Sequence, residues 1–395
     1  MNWLRMFFIA LIAAYMWIAW KAWDKIEHRN SDFIIYYTAA RIVNEGNGKD
    51  LYNLEIQEKY QHEGLSAIEF KDRLLPYNHP PFEIVWFLPL SQFSYIIAFF
   101  LWDLISLLCL VIGLLVLAKT LGMTDWSHTE ILLLGSLAFL PVLVLFLQGQ
   151  DSALAILFWC LVFKALKESR DWRGGFYLSL ALVKLQIVPV LLVVFVVKRR
   201  WHAITGFLLG TAAAFLISLH ITGMRGMKMY LLLLQETARW VNRYGVVPSQ
   251  MQSWRGQIHS LLGSGHFFWA EALTVMIGLL LLILVLKTWK GNWDASETTF
   301  DLKFALVMIV SLLISPHLNF HDLSLLLIPG FLTYAAAIKG NLTNRWHRFL
   351  APTLFVVAYP GILLTLILSS LLPVQVSVWG LMVWLAVLVK NIRGS

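Results

Sequence analysis

Apolar residues come in long blocks along this chain, and polar residues collect between them. With a window of about 19 residues, eleven blocks stand out, near 3–21, 93–118, 131–148, 152–166, 174–197, 202–221, 267–286, 302–315, 322–338, 349–370 and 374–389. Basic residues follow alternate blocks, at Lys164 to Arg173, Lys198 to Arg200, Lys287 and Lys290, Lys339 to Arg348, and Lys390 and Arg393. By the positive-inside rule these ends face the cytoplasm. The block at 174–197 then has cytoplasmic charge on both sides, which one crossing cannot satisfy, and it carries Lys184, Gln186 and Pro189 at its centre. It reads as two half-helices forming a broken hairpin. The pattern therefore predicts an all-α polytopic membrane protein of about twelve transmembrane helices, a single transmembrane domain over 1–395 with both termini inside.

Composition agrees with that class. The 395 residues are 59% hydrophobic and 14% charged, with a mean hydropathy of +0.70, values that no ordinary soluble domain carries. The formal charge of +8 is strung out between apolar blocks and forms no basic stripe, so membrane topology accounts for it and nucleic acid is not an expected partner. Cys109 and Cys160 both lie within apolar runs, without the spacing of a disulfide framework or a metal knuckle. The opening run from Trp3 to Trp20 has no small-residue cleavage site behind it and reads as an uncleaved first span.

This topology puts three polar segments on the extracytoplasmic side: the first loop at 22–80, a second at 222–266, and the corner SPHLNFHD at 315–322. The first is too long for an idle connection. SDFIIYYTAARIVNEG has Ser31 placed to cap a helix and Gly46 placed to end it, and LYNLEIQEKYQHE repeats apolar residues at helical spacing. Both are expected to be amphipathic helices at the interface. Asp32 and Tyr36 share one face of the first, Tyr37 and Arg41 a neighbouring one. Asp32 is suited either to cap the helix or to take a proton as a general base.

Further chemistry is spread along the chain. PYNHPPF presents Asn78 and His79 before a rigid proline turn, and LQGQDS presents Gln148, Gln150 and Asp151 in a turn between short helices, where they are expected to face water or a polar ligand. Lys184 within an apolar block costs roughly 2.5 to 3.5 kcal/mol to insert and is a functional candidate on that ground, with Gln186 beside it. At the corner, His317, His321 and Asp322 could hydrogen-bond a phosphate or a sugar hydroxyl. The His317 and His321 pair lacks a zinc-binding pattern. Arg239, Arg243, Gln252 and Arg255 add cations and amides in the second loop.

The order of these motifs resembles glycosyltransferase family 87. SDFIIYYTAARIVNEG followed by LY, PYNHPPF, LQGQDSALAI, GGFYLSLALVKLQIVP before KRRW, and SPHLNFHDLSLLLIP carry the resemblance over roughly residues 31–330. It implies a GT-C-type fold, a polyprenyl-phosphate-linked sugar donor, a lipid or glycan acceptor, and transfer on the outer side of the cytoplasmic membrane without a cofactor or metal. Asp32 matches the family's catalytic base. Lys184, His317 and His321 then fall where the donor phosphate is expected, and Tyr36, Tyr37, Arg41, Asn78, His79, Gln148, Gln150, Gln186, Arg255 and Asp322 become substrate-binding candidates. Two stretches depart from the family pattern, MQS at 251–253 and KLQ at 184–186. A transporter or flippase for a lipid-linked or anionic solute is the competing expectation, suggested by the interrupted block and its lysine.

Overall fold

Helices account for the regular structure of this chain, and their lengths explain how the polar segments come together. The computed structural model describes residues 2–23, 31–63, 74–123, 125–237, 251–340 and 373–394, with Ile26, Trp240, Arg243, Tyr244, Val246, Val247 and Leu342. Among these residues every regular element is an α- or 3-10 helix, apart from one isolated bridge between Arg243 and Val246. Among the described residues six helices are long and apolar enough to cross a membrane: Asn2–Lys21, Tyr95–Thr120, Trp201–Thr237, Phe267–Thr288, Phe320–Ile338 and Val376–Arg393. A seventh crossing results if Trp126–Leu137 and Leu140–Gln148, bent by 55°, act as one broken span. The chain is a multi-pass membrane protein. The block at 349–370 and Arg239 lie outside the described residues.

The shorter blocks differ from straight spans for a physical reason. Ser152–Lys167 and Thr298–Leu313 have 16 residues each, about 24 Å at 1.5 Å per residue, against a hydrocarbon layer of about 30 Å. Nearly every side chain on Ser152–Lys167 is buried, so this helix sits among other helices and does not meet lipid along its length. Exposed apolar side chains that suit lipid lie on Asn2–Lys21, which buries nothing, and on Tyr95–Thr120, Trp201–Thr237 and Phe267–Thr288, as at Phe100, Leu104, Leu208, Phe215, Phe268 and Leu279.

The block at 174–197 is broken where its polar centre implied. A helix over Asp171–Leu180 gives way to a 3-10 stretch, Ala181–Ile187, in which Lys184 has non-helical angles (φ −114°, ψ 66°), and a second helix runs over Pro189–Val197. The first half packs tightly on Trp201–Thr237. A Cβ on Gly175 would overlap the carbonyl of Ala203, and one on Gly206 would overlap that of Trp172. Small residues let these two backbones touch, as in other membrane helix pairs. Beyond this contact the long helix breaks at Gly223 (φ 62°, ψ 179°), a conformation that favours glycine.

The first loop folds inward. Phe33–Asn44 buries Phe33, Ile34, Tyr36, Tyr37, Thr38, Ala39, Ala40 and Ile42, so it is a core helix and not the surface-lying amphipathic helix expected from sequence. Phe33 is fully buried against Phe87, Tyr95 and Phe99, a burial that contributes about 1.5–3 kcal/mol. Gly46 ends the helix in the left-handed region, and the Asn47 N–H reaches back to the Ile42 carbonyl. At the other end the capping expectation is corrected. Asp32, not Ser31, occupies the N-cap position, its side chain makes no cap bond, and the Ser31 hydroxyl instead pairs with Tyr95 at 2.8 Å.

The second loop helix, Leu54–His62, is capped by Asn53, whose Oδ1 accepts from the N–H groups of Glu55 and Ile56. It serves as a clamp. Gln57 accepts from the Tyr77 N–H at 2.7 Å, and Gln61 both donates to the Leu75 carbonyl and accepts from its N–H. Extended backbone that would otherwise be unpaired is thereby fixed, which sets Asn78 and His79 in place.

Candidate active site

Four segments meet around a cavity of about 650 Å³: the start of the Phe33–Asn44 helix, the 75–80 wall, the Lys184 break and the corner at 314–322. Tyr230, Leu234 and Thr237, beyond the Gly223 break, close the side together with Trp240, Tyr244 and Val246. The lining is apolar along that side and polar where Asp32, Gln150, Lys184, Gln186, Arg255, His317, Asn319, His321 and Asp322 converge. A cavity with one apolar wall and one polar end suits a ligand that is itself part lipid and part polar.

Asp32 opens onto this cavity. Its backbone N–H donates to Gln148 Oε1 at 3.0 Å, and its Oδ2 accepts from Gln150 Nε2 at 2.7 Å. The carboxylate is held by a side chain from the 148–152 turn, a turn that Gly149 makes possible. Gly149 takes the left-handed conformation (φ 59°), and a Cβ there would lie 2.7 Å from that of Phe33. The turn thus packs directly on the Phe33 side chain at the start of the Phe33–Asn44 helix.

Lys184 is enclosed, with 5% of its side chain exposed, and its ammonium lies 2.7 Å from Asp151 and 2.9 Å from Asp322. Both carboxylates are buried as well. Asp151 therefore faces the lysine inside the protein and not water, which corrects the expectation for the LQGQDS turn. Asp322 also accepts from Ser152 Oγ at 3.0 Å and from the Asn319 N–H at 3.0 Å, closing a capping box at the start of Phe320–Leu326. One ammonium thus joins three walls of the cavity, and a carboxylate pair outweighs its charge.

The corner histidines behave differently from one another. His317 opens partly to the cavity, Asn319 Nδ2 lies 3.3 Å from its Nε2, and enclosure by the surrounding protein pushes the imidazole down to about 4. It is neutral at physiological pH, and with Nε2 accepting from Asn319 the free hydrogen sits on Nδ1. His321 is buried with Nε2 3.4 Å from Asp322. Arg255, also at the cavity, is bound through Nε to Glu271 at 2.7 Å and through a terminal nitrogen to the Pro316 carbonyl at 3.0 Å. It ties the Trp254–Leu262 helix to the corner. Gln186 Nε2 reaches the His317 carbonyl at 3.3 Å.

Four sequence candidates do not reach the cavity. Tyr36 is fully buried, stacked on Phe87 at 4.5 Å, with its hydroxyl donating to Gln150 Oε1 at 3.1 Å, so it cannot stack on a sugar. Tyr37 donates to the Phe93 carbonyl at 2.9 Å, and Arg41 pairs with Glu45 and Glu63, both at 2.9 Å. The i, i+4 spacing was right for the helix, but Tyr36 and Tyr37 turn into its buried side and Arg41 turns to acidic neighbours near the surface. Gln148 likewise contacts Asp32 without lining the cavity.

Sequence reasoning missed Glu83. It is fully buried, and its Oε2 lies 3.1 Å from His79 Nδ1. The spacing of HPPFE, histidine and glutamate four apart across a proline turn, was the available signal. His79, Glu83 and Asp151 bring possible ligand atoms within 4.8 Å of one another. Lys184 already supplies the positive charge beside Asp151, and the His79 nitrogens are committed to Glu83 and Tyr36.

Comparison with known proteins adds a family. The model of glycosyltransferase family 87 matches residues 77–316 of this chain. Asp32, His317, His321 and Asp322 fall outside that segment and Lys184 within it. A polyprenol-phosphate-mannose-dependent alpha-(1-2)-phosphatidylinositol pentamannoside mannosyltransferase of Mycolicibacterium smegmatis is 24% identical over 255 residues, covering 63% of this chain and 59% of that protein. The Mycobacterium tuberculosis protein of the same name is 26% identical over 258 residues, covering 63% and 56%. The match thus spans less than two thirds of the length of these relatives. Among solved structures, ArnT from Cupriavidus metallidurans bound to undecaprenyl phosphate aligns over 98% of this chain and 77% of its own, at 13% identity and a TM-score of 0.39.

Proposed function

Because this chain belongs to glycosyltransferase family 87, we propose that it transfers a sugar, mannose or a related hexose, from a polyprenyl-phosphate donor to a hydroxyl of a lipid or glycan acceptor. The reaction takes place on the outer side of the cytoplasmic membrane. The two mycobacterial relatives, named for a polyprenol-phosphate-mannose donor, support the donor class. The observation that carries the reading is the Asp32 carboxylate, oriented by Gln150, on the same cavity as the corner histidines.

In this mechanism the acceptor hydroxyl gives its proton to Asp32 as its oxygen attacks the anomeric carbon, and the bond from that carbon to the phosphate oxygen breaks with its electron pair. The anomeric configuration inverts. Polyprenyl phosphate leaves toward Lys184, His317 and His321. The lysine is shared with Asp151 and Asp322, so its contribution is a local charge held in place, while the neutral His317 offers an Nδ1–H. The sugar lies between Asn78, Gln186 and Asn319, and the polyprenyl chain follows the apolar wall.

The test is sugar transfer by purified protein in detergent from synthetic polyprenyl-phosphate mannose to a panel of alkyl glycosides. Transfer by the native chain and its loss in Asp32→Asn, with donor still bound, supports the reading. Full activity in Asp32→Asn removes the base assignment. Donor movement across a vesicle membrane without transfer would replace the enzyme with a transporter.

A further inference from the structure

A chain of hydrogen bonds leads from Asp32 back into the protein. Gln150 Nε2 donates to Asp32 Oδ2 at 2.7 Å, and the Tyr36 hydroxyl donates to Gln150 Oε1 at 3.1 Å. His79 Nε2 lies 3.3 Å from the Tyr36 oxygen, and His79 Nδ1 lies 3.1 Å from Glu83 Oε2. Tyr36 and Glu83 are fully buried and Gln150 is 5% exposed, so water does not substitute for a missing partner along most of this path.

Counting hydrogens fixes the direction of the chain. A carboxylate only accepts, so Gln150 turns its amide nitrogen to Asp32 and its carbonyl to Tyr36. Tyr36 has one hydroxyl hydrogen, and Gln150 takes it. The remaining partner of the Tyr36 oxygen, His79 Nε2, must then donate. The His79–Glu83 pair accordingly holds two hydrogens, one on Nε2 and one between Nδ1 and Oε2. If the pair loses one, Nδ1 keeps its hydrogen toward Glu83, and the bare Nε2 competes with Gln150 for the Tyr36 hydrogen.

We propose that Glu83 is a positioning residue for the general base: it keeps the second hydrogen on the His79 pair and so holds Tyr36 and Gln150 in the arrangement that aims an N–H at Asp32. The proposal rests on the assignment of Asp32 as base. The charges around His79 agree with it. Burial pushes the imidazole down, but the Glu83 carboxylate more than offsets this and Asp151 of the turn adds to it, while Lys184 of the broken segment opposes; the balance lies above the ordinary histidine value. Tyr36 and Tyr77 face the ring uncharged, and Tyr52 donates to the His79 carbonyl at 2.7 Å.

The experiment is a cycle of Glu83→Gln, Tyr36→Phe and their double variant in the transfer assay, with Asp32→Asn alongside and kcat followed against pH. The Asp151 carboxylate also faces Glu83 and only accepts, so a glutamine there turns its amide nitrogen to Asp151 and its oxygen to the His79 Nδ1–H, which leaves Nε2 bare. Glu83→Gln is accordingly expected to lower kcat about tenfold at neutral pH with KM within twofold, and to move the alkaline limb of kcat to lower pH; Glu83→Asp is expected to restore part of both. In a Tyr36→Phe background the Glu83→Gln change should have no further effect, because the connection is already cut. Additive losses in the double variant, or native kcat and an unshifted limb in both single variants, overturn the proposal. If Glu83→Gln does not fold, native kcat in Tyr36→Phe alone overturns it, and a tenfold loss with unchanged KM supports it. A fully active Asp32→Asn, by contrast, would show that the base assignment itself had failed. Nitrogen-15 NMR of His79, identified by loss of its signals in His79→Gln, reads its protonation independently of any substrate, and a value unmoved by Glu83→Gln also overturns the proposal.

Discussion

The Lys184 ammonium lies 2.9 Å from Asp322, joining a break in one membrane segment to the capped turn of another. With Asp151 at 2.7 Å on its other side, it is the centre around which the polar end of the cavity is built.

Lys184→Met should therefore act first on the fold. It leaves two buried carboxylates without a counter-charge, and breaking a buried pair costs about 3–5 kcal/mol. The expected outcome is a clear fall in melting temperature in detergent, much reduced in Lys184→Met/Asp322→Asn. A melting temperature equal to the native one would remove the lysine from its structural place.

Arg41→Ala provides the contrasting case. Its partners Glu45 and Glu63 are half exposed or nearly so, and exposed pairs contribute about 0–1 kcal/mol each. In the proposed transfer reaction, KM for a polyprenyl-phosphate donor should stay within twofold of native. A tenfold rise would return Arg41 to the substrate site, where the sequence spacing alone had put it.

Gly206→Leu tests the contact between Asp171–Leu180 and Trp201–Thr237. There is no room for the added side chain against the Trp172 carbonyl, and overpacking of this kind costs about 1–3 kcal/mol or more. Loss of the folded protein in size-exclusion chromatography, or a lowered melting temperature, is expected. Gly265→Leu, at a position with open space around it, should leave both unchanged.

His317 gives a pH prediction. Its folded value, near 4, lies below the ordinary histidine value of about 6.5. Between these two the unfolded chain binds a proton that the folded chain does not, so stability is full above about pH 6.5 and falls as the pH drops toward 4. Thermal melts from pH 7 to 4 should show that decline, and His317→Asn should flatten it. An equal decline in both would assign it to other groups.

The broad architecture was legible because membrane burial writes itself into long apolar blocks, and the polar interruption at Lys184 marked a real break. The cavity-lining places of Asp32, Asn78, Gln186, Arg255, His317 and His321 lie on segments that the charge pattern alone assigned to one side of the membrane. What the pattern did not contain was which side of a loop helix is buried. Phe33–Asn44 carries apolar residues nearly all round, so period alone could not tell lipid, core and cavity apart, and Tyr36 and Tyr37 were placed facing a ligand that they do not reach. The pairing of Lys184 with Asp151 and Asp322 spans 33 and 138 positions of sequence. No local rule sees a contact of that range.

The break at Gly223 separates two tasks along one helix. Below it, Gly206 and Gly210 are confined by neighbouring backbone and side chains; above it, Tyr230, Leu234 and Thr237 border the cavity. Changes above the break alter the width and polarity of the cavity without disturbing the packing below it. A substitution in that upper stretch is therefore a change to the shape of the cavity alone, with the helix contact below left as it is.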